Sequence, residues 1–99
     1  MEQLTEIINY ISTSLADIKR VASLNSRFNK IGYEKLIDRM RGDSPEEVLF
    51  KLHAHQALNA FDDVLCKIYR TNLSGAIADA EMELCFAKCA LELYKEQKE

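Results

Sequence analysis

Cys85 and Cys89 stand four residues apart, and Asp79 and Glu83 repeat that spacing just upstream. On a helix, residues i and i+4 share a face, so the thiols form one pair and the carboxylates another. Zinc would require two further ligands in tetrahedral geometry, and Cys66, His53 and His55 are the residues that could supply them. Magnesium takes hard oxygen ligands, and Asp62 and Asp63 could join Asp79 and Glu83 from a facing helix. Either site depends on how the helices that carry these residues are arranged.

Those helices can be read from apolar spacing. Leu4, Ile8, Ile11, Leu15, Ile18 and Ala22 form one stripe, widened by Ile7 and Val21 and able to run on through Leu24, Phe28 and Ile31. The spacing predicts a long first helix over about 3–30, frayed or bent near Asn25 and stopped at Gly32, the competing reading being a break at "SLNS" (23–26). A short helix over 33–41 follows, closed by Gly42. Ser44, Pro45 and Glu47 then have the order of an N-cap, a first-turn proline and a capping-box acid, so the third helix begins at Pro45 and runs to about 71. Its stripe is Phe50, Ala54, Ala57, Phe61, Val64 and Ile68, with Leu58 and Leu65 beside it. The fourth helix, over 75–96 and capped by Asn72 or Ser74, carries Leu73, Ile77, Ala80, Leu84, Ala87, Leu91 and Tyr94.

That last helix also carries a second stripe, Met82, Phe86, Cys89 and Leu93. One bundle interior needs one stripe, so the second asks for another partner. Ninety-nine residues make one domain, and short connections favour antiparallel neighbours. The expected fold is therefore all-α: an up-and-down helical bundle of three long helices and one short helix, completed by homo-oligomerisation.

A hairpin turning near residue 73 sets Cys66 level with Ala80 and His53 and His55 level with Leu91 to Leu93. Cys85 then lies roughly 7 Å further along the axis than Cys66, too far for a shared zinc ion. Free cysteine packs as a small hydrophobe, which is the reading adopted here. In the same register Glu83 faces Asp62 and Asp63. On the helical wheel, however, Asp62 and Asp79 lie at the edge of the apolar stripes and Asp63 away from them. Lys67 and Lys88 are near enough to neutralise them, and a solvated rim is expected. His53 and His55 diverge by about 200° and cannot share one ligand from one face. There is no glycine-rich phosphate loop.

"VLCKIYR" (64–70) followed by "IADAEMELCFAKCALELY" (77–94) resembles the small MazG-like all-α nucleoside triphosphate pyrophosphohydrolases. The resemblance implies an oligomeric helical bundle with Mg²⁺ held by acidic residues on two facing helices, Asp79 being the aspartate of the second motif. Where the first motif carries glutamates this chain has Gln56, Ala57 and Ala60. Ala76 stands where a glutamate precedes Asp79. The resemblance thus implies the fold more than the catalysis.

Charge is unevenly distributed. Residues 19–41 hold seven basic side chains against two acidic ones, so they carry +5 while the rest of the chain carries −8. Arg27, Lys30, Lys35, Arg39 and Arg41 form a basic recognition patch, with Phe28 and Tyr33 between them. Basic and aromatic residues together can follow a nucleic acid, but the net charge is −3 and no nucleic-acid-binding motif is present. An acidic protein surface, including the acidic ends of a second copy, suits the patch better.

Three cysteines without framework spacing and no basic leader at the N-terminus suggest a reducing, cytoplasmic location. No run is apolar enough to span a membrane. The expectation is a non-enzymatic protein-interaction module with no catalytic residue, cofactor or metal. It binds a protein partner and a second copy through Met82, Phe86, Cys89 and Leu93, and not nucleic acid. The alternative is a degenerate MazG-like nucleotide-binding or hydrolysing protein in which Asp62, Asp63, Asp79 and Glu83 form a divergent Mg²⁺ site.

Overall fold

The computed structural model describes residues 2–21, 30–67 and 73–98. They form four helices, α1 (Glu2–Val21), α2 (Lys30–Asp38), α3 (Pro45–Cys66) and α4 (Leu73–Lys98), and no strand. The fold is an all-α bundle. Its frame is the α3–α4 hairpin, on one side of which α1 leans against α4 and α2 against α3. The Cα envelope of 42 × 22 × 16 Å is elongated along one axis. Its length matches the roughly 39 Å expected of a 26-residue helix such as α4.

The expected stripes account for the core. Leu4, Ile8, Ile11, Leu15 and Ile18 of α1 are buried with Ile7, as are Phe50, Ala54, Ala57, Phe61 and Val64 of α3 with Leu58. On α4, Ile77, Ala80, Leu84, Ala87, Leu91 and Tyr94 turn inward. Ala54, Ala57, Ala80, Ala87 and Ala90 are almost fully enclosed, and small side chains let two helix axes approach closely. That is why α3 and α4 form the most extensive pairing in the molecule. Tyr10 joins three helices: its ring lies 5.7 Å from that of Tyr33 on α2 and meets Phe61 on α3 edge-on at 6.1 Å.

The start of α3 is built as its sequence suggests. Ser44 is extended (φ −131°, ψ 158°), and its Oγ accepts the Glu47 amide at 3.2 Å. Glu47 Oε1 accepts the Gly42 amide at 3.0 Å, so the capping-box acid also engages the backbone two residues before the cap. Gly42 has φ +76°, the left-handed region that glycine enters without penalty. Lys51 Nζ donates to the Met40 carbonyl at 2.7 Å and fastens the same corner.

The helix limits differ from the sequence expectation in α2, α3 and α4. The first helix reaches Val21, and residues 22–29, including the expected bend at Asn25, lie outside the described residues. Gly32 does not stop a helix; it lies inside α2, which starts at Lys30 and ends at Asp38, three residues early. Ile31, expected on the core stripe of a continuous first helix, is 69% exposed. On α2 the buried position is Ile37, six residues along and on another side of the helix. Finally, α3 ends at Cys66, where the Lys67 amide bonds the Asp63 and Val64 carbonyls. Of the proposed caps for α4, Asn72 is outside the described residues and Ser74 lies within the helix.

Candidate functional site

The early end of α3 moves the hairpin register. The connection is centred near residue 70 rather than 73, so His53 stands beside Glu83 and Phe86 instead of Leu91 to Leu93. Glu83 consequently does not face Asp62 and Asp63. Asp62 pairs with Lys30 of α2 at 3.8 Å, and Asp63 pairs with Lys67 on its own helix at 3.1 Å. Asp79 is exposed on α4. Lys88, expected to neutralise this group, donates to Ser12 Oγ of α1 at 3.3 Å. The four carboxylates are dispersed, and among the described residues no group of three or more Cys, His, Asp or Glu side chains is placed to hold a metal ion. Cys66, Cys85 and Cys89 are free thiols, and all three are exposed rather than packed.

The two histidines turn to different helices. His55 Nε2 lies 2.9 Å from Asp38 Oδ1, and its Nδ1 lies 4.0 Å from Glu34 Oε2, so it links α3 to α2. His53 turns to α4: its ring stacks obliquely on Phe86 at 5.2 Å, and its Nδ1 lies 3.6 Å from Glu83 Oε2. That separation is too long for a hydrogen bond. Both atoms are enclosed and neither has a hydrogen-bond partner among the described residues.

The basic patch is only partly assembled. Lys30 turns back to Asp62, while Lys35 and Arg39, four residues apart, are exposed with Arg41 beyond them in the α2–α3 loop. Glu34 and Asp38 interleave with these cations and meet His55. Arg27 lies outside the described residues.

A different surface is larger and more uniform. On α4, Met82 (51%), Phe86 (45%) and Leu93 (48%) are exposed, with Cys89 between them. The contact of His53 with Phe86 puts this strip against α3 at the outer edge of the hairpin seam. Beside His53, α3 exposes Leu52, and one turn earlier Leu49, with Val48 at the margin. Helical spacing places Leu49 and Leu52 on the side of α3 next to this strip. The outer face of the hairpin, opposite α1 and α2, is therefore apolar across both helices.

Leu49 and Leu52 were missed in the sequence because the third helix was read for one stripe only. The run "VLFKL" (48–52) holds an off-stripe i, i+3 leucine pair, the same signal that marks the second stripe of α4. Between α1 and α4 there is also a groove lined by Ser12, Leu15, Lys19, Glu81, Cys85 and Lys88. Its cations are engaged, Lys19 with Glu81 at 3.4 Å and Lys88 with Ser12.

Comparison with protein-family models, curated proteins and solved structures finds no match to this chain.

Proposed function

We propose that this chain is a non-enzymatic protein-interaction module that acts by presenting the outer face of its α3–α4 hairpin. The observation that carries the reading is the continuous apolar surface of Leu49, Leu52, Met82, Phe86, Cys89 and Leu93, which nothing else in the described chain covers. Isolated apolar side chains on a surface are ordinary, but a contiguous apolar patch marks an interaction site. Support also comes from the titratable groups. Asp62, Asp63 and His55 engage neighbouring side chains in the bundle rather than converging on a ligand. Among the described residues no helix is long and apolar enough to cross a membrane. A reducing compartment such as the cytoplasm suits the three free thiols, and Lys35, Arg39 and Arg41, on α2 and the loop after it, form a separate basic surface suited to an acidic partner.

The test is capture on immobilised chain, comparing wild type with Phe86→Glu. Proteins retained by the wild type and lost with the variant, at unchanged helical content, are the expected result. An identical bound set would remove the face from the function. Thermal melts with nucleoside triphosphates and Mg²⁺ test the rival reading. Stabilisation that disappears in Asp79→Asn would replace the module with a relative of the MazG-like enzymes.

A further inference from the structure

We infer that the occupant of the outer α3–α4 face is a second copy of this chain, docked about a two-fold axis so that two hairpins pack face to face. This rests on the reading of that face as an interaction surface and names its partner.

Self-complementarity is the first argument. A two-fold contact sets each patch against its own image, so a charge near the axis meets the same charge. Along the level of Leu49 to Gln56 on α3 and Met82 to Leu93 on α4, the strip itself consists of Leu49, Leu52, Gln56, Met82, Phe86, Cys89 and Leu93, all uncharged. Glu83 is drawn into the seam beside His53. Glu92 is exposed but lies by helical spacing on the same flank of α4 as Glu81 and Cys85, and pairs with Lys95 of its own helix at 3.8 Å. Lys51, Glu81 and Lys88 belong to the side that meets the rest of the bundle: Lys51 bonds the Met40 carbonyl, and the other two reach α1. Elsewhere the surface is densely charged, so this is the stretch that can meet itself without repulsion.

Area is the second argument. Val48, Leu49, Leu52, Met82, Phe86 and Leu93 are 40–52% exposed. For side chains of this size that leaves on the order of 500 Å² of apolar surface. A stable interface covers about 800 Å² per partner, of which homodimers make about 65% apolar. The two figures agree: the apolar strip is the size of the centre of one homodimer interface. Phe86, seated on the His53 ring, is the rigid aromatic anchor such an interface uses at its centre.

Sedimentation equilibrium of the full chain should give the mass of two chains. Phe86→Glu and Leu52→Glu should each raise the dissociation constant at least roughly a hundredfold, as expected for a charge placed in a hot spot, and leave helical content unchanged. A second measurement does not depend on tolerating a charge. Cys89 lies within the strip and Cys85 lines the α1–α4 groove. A chain retaining Cys89 alone (Cys66→Ser, Cys85→Ser) should be joined to its copy by a short bis-maleimide. A chain retaining Cys85 alone should not. A wild-type chain that sediments as a monomer overturns the inference. So does a dimer indifferent to both glutamate substitutions and not joined through Cys89. If the chain is monomeric while Phe86→Glu still abolishes capture of another protein, the second copy falls and the interaction module stands.

Discussion

Glu47 ties α2 to α3, and its replacement tests how the corner is held. Among the described residues it is the charged side chain that is buried, at 6% exposure. Its carboxylate accepts the Gly42 amide at 3.0 Å while its own amide donates to Ser44. A hydrogen bond to a charged group contributes about 1.5–3 kcal/mol, and a carboxylate in the first turn adds about 0.3–1 kcal/mol from the helix dipole. Glu47→Ala loses both and leaves the Gly42 amide without this acceptor, so a cost of about 2–3 kcal/mol is expected. Glu47→Gln keeps an acceptor at the same reach and loses the charge, which should cost about 1 kcal/mol. For a domain of this length the alanine variant should melt about 10–20 °C lower and the glutamine variant about 5 °C lower. Urea unfolding followed by circular dichroism, at one fixed chain concentration, measures both. If alanine costs less than glutamine, or less than about 0.5 kcal/mol, Glu47 does not hold the corner and the loop is set by Gly42 and Lys51.

Two other predictions concern titratable groups. Burial first, then Tyr10 and Glu6, push the Tyr33 phenol above its ordinary 10.0. The folded state therefore favours the protonated phenol; this stabilisation is intact below pH 10 and lost as pH rises through the folded-state value. Urea midpoints should fall above pH 10, and less so in Tyr33→Phe; an equal alkaline loss would assign it elsewhere. At the hairpin seam, His53 and Glu83 enclose two polar atoms without hydrogen bonds. Leaving one such group unmatched costs about 1–3 kcal/mol, whereas replacing both partners with apolar side chains is close to neutral or stabilising. His53→Leu/Glu83→Leu should be at least as stable as wild type, and His53→Leu alone less stable. A double variant weaker than either single one would show that the pair holds the hairpin together.

The sequence by itself determined the helical class, the buried stripes and the start of α3, because each is written in local spacing. A side chain three or four residues from its neighbour shares its face whatever lies opposite. Ser44, Pro45 and Glu47 act within one turn of helix, although the choice of Gly42 as the Glu47 partner depended on how the preceding loop folds back. The second stripe of α4 was legible on the same grounds, as a face its own bundle could not cover.

Register and neighbourhood were decided only in the tertiary structure. The end of α3 at Cys66 depends on where the chain turns, and moving that turn by about three residues carries every facing position on the opposite helix about twice as far. Glu83 consequently meets His53 rather than Asp62, and a group of carboxylates that looked able to converge is spread over the bundle. Leu49 and Leu52 become part of one surface with Phe86 only when α3 lies beside α4. Spacing along a chain says which residues share a face of one helix; which faces of two helices lie together depends on all the contacts that pack them.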